Sequence, residues 1–494
     1  MKRSAGVLLH PTSLPSAHGI GDLGPTAHAY LDWLAHAGIS WWQILPLHPP
    51  GPGNSPYSAT STFAGNPLLI SPSLLLDEGL LVADDLDDRP TLEDEWVDFS
   101  VVAPWKKRIL GRAFLRFDRR SGPLAIELES FREGNRSWLD DYALFAALKT
   151  AYGGAPWYDW PPPLARRDPD ALLDWRADHQ DEIEFEVFVQ LLFHRQWRAL
   201  KEYAAEKKIG ILGDVPIFVA QDSADVWAHP ELFLMDDHDR PAVVAGVPPD
   251  YFSPTGQLWG NPLYDWARMA EDGYEWWIDR LKHTLAQVDM VRLDHFRGFA
   301  SYWEIPADAE IARNGRWVEG PGRPFFDAIS QALGGLPFIA EDLGDITEDV
   351  IALRDELGLP GMAILHFGFS PDPRSSYIPY SHTRNLVVYT GTHDNNTTVG
   401  WFLEDANDGE RELVRSYVGT DGEIHWDLTR LIMASVADLA VVPHQDLAGL
   451  GGNCRMNTPA VADGNWTFRL MPWMLDHEIR GRLAGMVDTY GRGS

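Results

Sequence analysis

Short apolar runs rich in β-branched residues recur along the chain, each ending in polar or glycine-rich turns. There are eight: Ala5–Leu9, Trp41–Leu47, Ile211–Val219, Val288–Leu293, Phe338–Ala340, Met362–Phe367, Asn385–Tyr389 and Leu439–Val442. Runs of this length between turn residues predict buried strands. Helix-like stretches separate most of them. In Pro25–Ala37, Tyr30, Leu31 and Leu34 share a face, Pro25 suits the first turn and Gly38 suits the stop. Glu186–Ala205 is a second such stretch and leads into the third strand.

Parallel neighbours need a crossover, usually a helix, so strand alternating with helix predicts a parallel sheet. Eight units predict an α/β fold closed as a (β/α)₈ TIM barrel rather than an open doubly wound sheet. The eighth run lies near the C-terminus, and no strand signal is left over for a second sheet. The spacing is uneven. About 160 residues separate the second and third runs, far more than one crossover uses. Residues 68–185 are therefore expected to form an inserted, mostly helical subdomain, with Trp138–Lys149 among its helices. After the third strand, Asp236–Pro262 is long and rich in Pro and Gly, and is expected to be an irregular loop covering the active site.

Composition narrows the function. The 494 residues are 45% apolar, enough for a large core, and carry a formal charge of −31 from 41 basic and 72 acidic side chains. That sign argues against binding nucleic acid through phosphates and against docking on anionic lipid. The one cysteine, Cys454, has no partner for an internal disulfide and fits a reducing compartment. Ala5–Leu9 is shorter than a signal-peptide core, and no stretch reaches the ~18 apolar residues of a membrane span. A soluble cytoplasmic protein is expected. Among the 21 tryptophans, Trp157, Trp160 and Trp259 sit in polar, Gly/Pro-rich segments. Indoles there either pack under long loops or stack on the C–H faces of sugars.

Several familiar motifs are excluded. Gly19–Gly24 (GIGDLG) has the letters of a dinucleotide fingerprint, but roughly nine residues separate it from the strand end at Leu9, so it is not the tight turn that mechanism needs. There is no GxxxxGK[ST], GxSxG or HExxH, and the histidines form no metal-ligand spacing. Neither a cofactor nor a metal is expected.

In a (β/α)₈ barrel, chemistry sits where strands run into the βα loops. The third strand ends near Asp214. The fourth brings Arg292, Asp294, His295 and Arg297, and the fifth Glu341 and Asp342. The seventh brings His393 and Asp394, and the eighth Gln445 and Asp446. Single acids at strand ends are ordinary turn and cap residues. Carboxylates from strands four, five and seven on one rim suit glycosidic chemistry. A retaining enzyme needs a carboxylate nucleophile and a carboxylic acid about 5–5.5 Å apart. A third acid positions sugar hydroxyls and raises the pKa of the general acid. Arg292, two residues before Asp294 and on the same strand face, would keep Asp294 ionised. The apolar Phe338–Ala340 approach would raise Glu341 for the acid role. His393 would hydrogen-bond a sugar hydroxyl.

At these residues the chain resembles the 4-α-glucanotransferases, also called amylomaltases or disproportionating enzymes. The resemblance runs through GVLLHPTSLPS (Gly6–Ser16), GIGDLG, SPYS (Ser55–Ser58), GDVPIFVAQDSADVW (Gly213–Trp227), GVPPDYFSPTGQLWGNPLYDW (Gly246–Trp266), VRLDHFRGF, IAEDLG, YTGTHDN, PHQDLAGLG and RMNTP. Only 68–185 is weakly marked. The resemblance implies an α-amylase-type barrel that moves a segment of an α-1,4-glucan to a new 4-hydroxyl by double displacement. Asp294 is then the nucleophile, Glu341 the general acid and base, and Asp394 the transition-state stabiliser. Arg292 and His393 would bind the sugar beside the cleaved bond, with Asp214, Tyr57, Gln257 and Trp259 as further substrate contacts. The implied partners are α-1,4-glucans and maltooligosaccharides, with glucose as acceptor. Asn396 stands where many relatives carry an Asp and is left out of the catalytic set. GVLLHPTSL begins at Gly6, as in the short form without an N-terminal extension. A hydrolase using the same site and a non-catalytic glucan-binding protein are the alternatives. Transfer depends on excluding water, a task that falls to Tyr251, Phe252 and Trp259 of the Asp236–Pro262 loop.

Overall fold

Eight parallel strands surround the core of the computed structural model, which describes residues 1–92, 94–249, 254–370, 375–420 and 422–493. They are Ser4–Leu8, Trp41–Gln43, Gly210–Pro216, Met290–Asp294, Phe338–Ala340, Gly361–Ile364, Leu386–Tyr389 and Leu439–Pro443. Each of the eight apolar runs supplies one. The strands neighbour one another in chain order, and the first pairs with both the second and the eighth. The fifth and sixth meet through one backbone bond, from Ala340 N–H to the Pro360 carbonyl at 2.9 Å. A side chain reinforces that seam. The buried Asp342 carboxylate accepts the Met362 N–H at 2.7 Å and a bond from Arg354. Asp342 directly follows Glu341, so the seam also fixes the chain on which Glu341 stands.

Strand bounds are tighter than the apolar runs. Trp41–Leu47 pairs only as far as Gln43, yet Ile44, Leu45 and Leu47 remain buried as the chain bends over the rim. Met362–Phe367 leaves the sheet after Ile364 for a 3₁₀ turn at Leu365–Phe369. Burial continues through both segments, and hydrophobicity alone does not distinguish a buried strand from a buried turn.

A second sheet overturns the expectation that none would be found. Val243–Val247, Gln257–Pro262, Ser301–Pro306 and Arg316–Glu319 form a four-stranded antiparallel sheet with Val243–Val247 and Ser301–Pro306 at its centre. Two of its strands lie within Asp236–Pro262, so that segment is not an irregular loop throughout. Two features concealed them. Gly246, Gly260, Pro262 and Pro306 interrupt the short runs, and Val243–Val247 finds its second partner far along the chain in Ser301–Pro306. Gly246 has a steric cause: a Cβ there would lie 2.2 Å from the Gln257 carbonyl oxygen of the adjacent strand.

Helices fill the interval between the second and third barrel strands. They are Pro72–Asp77, Phe99–Arg116, Pro123–Gly134, Arg136–Ala151, Pro162–Ala165, Pro169–Asp178 and Gln180–Glu206. The last begins six residues before the expected Glu186, so the boundary at 185 falls inside a helix. Asp181 and Glu182 in its first turn face the positive end of the helix dipole. Trp105, Ile109 and Ala113 of one helix and Phe188, Leu191 and Leu192 of another share a continuous core with Val7 and Trp42 of the barrel. The GIGDLG segment is a packed turn. Asp22 accepts bonds from Gly24 N–H and Ser16 Oγ, and buried Lys106 lies 3.9 Å away.

Asp342→Ala removes the acceptor that joins the fifth and sixth strands. It is expected to destabilise the protein by about 2–3 kcal/mol, with Asp342→Asn costing less because its amide oxygen still accepts the Met362 N–H. Denaturant unfolding of both variants checks this.

Candidate active site

Register builds the site. The third and fourth strands pair Asp214 with Arg292, and the fourth and fifth pair Leu293 with Ala340, so Asp294 and Glu341 leave neighbouring strand ends together. Arg292 and Asp294 project to one face because side chains alternate along a strand. The buried guanidinium links two carboxylates. Nε donates to Asp214 Oδ2 and Nη2 to Asp294 Oδ1, both at 2.7 Å. The Tyr57 hydroxyl donates to the same Asp214 oxygen at 2.8 Å. Burial works against the Arg292 charge, but Asp214 and Asp294 outweigh it and hold the guanidinium well above its ordinary range. Burial pushes Asp214 and Asp294 up, and Arg292 pulls both back toward the ionised form.

Immediately after Asp294 the chain turns through a left-handed residue, His295, at φ 53°. A non-glycine residue is strained there, and such strain collects at functional sites. The turn aims the His295 N–H at Glu341 Oε2, 2.8 Å away, while Leu343 N–H donates to Oε1 at 3.1 Å. Both bonds favour the carboxylate. Burial and the nearby Asp294 charge act more strongly in the other direction and push Glu341 up to about 8. At neutral pH Glu341 therefore holds a proton. Burial raises both carboxyls, and Asp294 alone is hydrogen-bonded to the guanidinium that favours the ionised form.

The seventh strand supplies the facing wall. His393 stacks on Tyr57, with ring centroids 5.0 Å apart and planes at 10°. Its Nε2 lies 3.4 Å from Asp394 Oδ2. Burial holds His393 down, at about 4, so the ring is neutral. Asp394, half open to solvent, accepts a 2.6 Å bond from Asn457 Nδ2, and its carbonyl accepts from Arg455. Tyr57, Asp214, Arg292, Asp294, Glu341, His393 and Asp394 thus converge on one rim. Gln257 and Trp259 approach from the antiparallel sheet. Trp259 Nε1 donates to Gln257 Oε1 at 3.2 Å, and the 39% exposed indole meets the His295 ring edge-on at 4.8 Å. Tyr251 and Phe252 lie outside the described residues.

Other strand-end groups serve the framework. Buried Asp446 accepts from Thr390 Oγ1 and from Thr398 N–H and Oγ1 at 2.6–2.7 Å, anchoring the loop that carries His393 and Asp394. Asn396 donates to Asp405 rather than into the site. Trp157 and Trp160 are buried, so their indoles are packing residues. Asn457 and the backbone of His295 were not singled out from sequence. Asn457 lies in RMNTP, beyond the last barrel strand, where a reading of strand ends does not reach. Among the described residues, no group of three His, Cys, Asp or Glu side chains is placed to hold a metal ion.

Comparison with known proteins identifies the family and matches the fold. The glycoside hydrolase family 77 model, described as 4-alpha-glucanotransferase, matches residues 9–475. A 4-alpha-glucanotransferase from Synechocystis sp. is 49% identical over 498 residues, covering 99% of this chain and 98% of that protein. One from Thermus thermophilus is 47% identical over 502 residues, covering 100% and 99%. The solved structure of an amylomaltase from Streptococcus agalactiae in complex with acarbose superimposes with a TM-score of 0.96 at 37% identity, covering both chains completely.

Arg292→Met leaves the buried Asp214 and the partly buried Asp294 side by side without their cation. The expected cost is about 3–5 kcal/mol at neutral pH. The lost cation raises both carboxyl pKa values in the folded protein, so the penalty is present above those values and fades as pH falls toward the unfolded value of about 4. Unfolding of wild type and variant between pH 4 and 7.5 should show the gap closing toward acid.

Proposed function

The chain belongs to the 4-alpha-glucanotransferase family, and on that premise we propose how its barrel rim divides the work of moving an α-1,4-glucan segment to a new 4-hydroxyl. Asp294 Oδ1 is held by Arg292, and Oδ2 attacks the anomeric carbon. As that bond forms, Glu341 passes its proton to the departing glycosidic oxygen, which leaves as the 4-hydroxyl of the released sugar. The donor glucan is now an ester on Asp294. Esterification removes the negative charge that helped raise Glu341, so the acid's affinity for a proton falls when it must act as base. Glu341 then takes the proton from the acceptor's 4-hydroxyl, the acceptor oxygen displaces Asp294, and two inversions restore the α configuration.

Asp394, oriented by Asn457, faces the positive charge that develops on the sugar ring. His393 and Arg292 donate to hydroxyls of the sugar beside the cleaved bond. Asp214, whose side chain is closed to solvent, supports the same subsite by holding Arg292 and Tyr57. Tyr57 shapes the same subsite, and Gln257 and Trp259 contact glucan on the acceptor side. The strands Val243–Val247 and Gln257–Pro262 of segment 236–262 lie on that side, and shielding the ester from water favours a sugar acceptor over hydrolysis. Glucose or a maltooligosaccharide serves as acceptor. The sole thiol is Cys454, and among the described residues no helix is long and apolar enough to cross a membrane. Both fit a cytoplasmic enzyme acting on maltooligosaccharides. The observation that carries this reading is the placement of the Arg292-bound Asp294 carboxyl and of Glu341, whose pKa is pushed up to about 8, on adjacent strand ends.

Incubation with maltotriose should yield glucose and a ladder of longer maltooligosaccharides, and Asp294→Asn should abolish both while leaving glucan binding measurable. Release of reducing ends without longer products would indicate a hydrolase, and an unchanged Asp294→Asn rate would remove Asp294 from the mechanism. The pH profile of kcat/KM should be bell-shaped. The alkaline limb should fall near pH 8 as Glu341 loses its proton, and the acid limb should lie above the ordinary aspartate value because burial raises Asp294. Glu341→Gln should lose the activity to which the alkaline limb belongs.

A further inference from the structure

We infer that His366 is a positioning residue for Asp394: its Nε2–H holds the Thr398 hydroxyl on the Asp446 carboxylate, which fastens both ends of the loop bearing His393 and Asp394. His366 lies just past the sixth barrel strand, Thr390 directly after the seventh, and Asp446 just past the eighth. Three consecutive strand ends therefore meet in one chain of hydrogen bonds. Asp446 Oδ2 accepts from Thr390 Oγ1 at 2.6 Å and from Thr398 Oγ1 at 2.7 Å, and Oδ1 accepts from Thr398 N–H at 2.7 Å. Thr390 precedes His393 by three residues and Thr398 follows Asp394 by four. One carboxylate thus closes the loop at its base. His366 Nε2 lies 3.1 Å from the Thr398 hydroxyl oxygen and is the outermost member of the chain. All four side chains are buried.

The direction of each bond follows from what each group can give. A threonine hydroxyl has one hydrogen and accepts through its lone pairs. The Thr398 hydroxyl gives its hydrogen to the nearer and stronger acceptor, Asp446, and so accepts from His366 Nε2. Burial holds His366 down, at about 3, so the ring is neutral with a single N–H. Nδ1 meets no protein acceptor, and a proton there would be a buried donor without a partner. The proton therefore belongs on Nε2. A Thr398 hydroxyl turned toward Nε2 would bring two hydrogens face to face, so it stays on Asp446. Packing fixes the imidazole that imposes this. The ring stacks on Trp401, with centroids 4.6 Å apart and planes at 6°. It also lies close against Gly391, the first residue of the loop, where a Cβ would come within 2.8 Å of His366 Cε1. A group displaced by about 1 Å in a site of this kind costs on the order of 100-fold in rate. The inference rests on Asp394 stabilising the charged sugar ring, as proposed above.

The test compares His366→Leu, which removes the donor, with His366→Gln, whose amide puts an N–H near the former Nε2. Steady-state disproportionation of maltotriose is measured together with ¹⁵N spectra of histidine-labelled protein, the His366 signal being assigned by its loss in His366→Gln. In wild type His366 should be protonated on Nε2 and bare on Nδ1. His366→Leu should lower kcat by about 10- to 100-fold, and KM should stay within about twofold. His366→Gln should recover most of the rate. Thr398→Val, which keeps the backbone N–H but lacks the hydroxyl, should lose a similar factor. The double variant His366→Leu/Thr398→Val should lose no more than the worse single one, because both act through the same hydroxyl. A proton on Nδ1 of His366, equal losses in the Leu and Gln variants, or losses that multiply in the double variant would overturn the inference. If His366→Leu does not fold, the wild-type spectrum, His366→Gln and Thr398→Val still decide. Asp394→Asn turning over at the wild-type rate would instead refute the role given to Asp394, while the spectrum judges the His366 bond by itself.

Discussion

One guanidinium between two carboxylates sets the chemistry of the rim. Arg292 meets Asp214 through Nε and Asp294 through Nη2, a division that a planar fork of donors allows and a single ammonium does not. Burying three charges is costly, and such clusters seldom stabilise a fold on balance. This one orients the proposed nucleophile and favours its ionised form against the upward push of burial. The bond also occupies one oxygen of Asp294 and leaves the other free of Arg292.

Glu341 depends on the same arrangement from the opposite side. Two backbone N–H groups favour its charge, yet burial and Asp294 prevail. Because part of the elevation comes from Asp294, the proton affinity of Glu341 is tied to the covalent state of its neighbour. In the proposed mechanism one residue thus acts as acid in the first half-reaction and as base in the second without a conformational change. The left-handed turn at His295 and the Asp342 seam keep the two carboxyls on neighbouring strand ends. Strain at the first is tolerated because paired strands on both sides determine the local backbone.

Elements outside the barrel serve the rim in different ways. The antiparallel sheet carries Gln257 and the half-exposed Trp259 toward His295, so an aromatic surface stands beside the proposed nucleophile. The helices between the second and third strands share the barrel's core and enlarge the scaffold behind Tyr57. Asp446 and Asn457, both from the chain's final quarter, brace the loop that holds His393 and Asp394. The side chains proposed to touch glucan are backed by others that hold them in register.

The pattern of apolar runs was sufficient to determine eight strands, their parallel order and the rim on which Asp214, Arg292, Asp294, Glu341, His393 and Asp394 would meet. Those features are encoded locally: a buried strand needs a continuous apolar run, and a barrel places every strand's end on one face. The antiparallel sheet was not legible, because glycine and proline interrupt its short strands and long-range pairing brings them together. The brace from Asn457 to Asp394 was equally hidden. It arises from a contact between residues distant in sequence, and no local pattern records such contacts. The pKa of Glu341 belongs to the same class, since burial and a neighbour's charge exist only once the chain has folded.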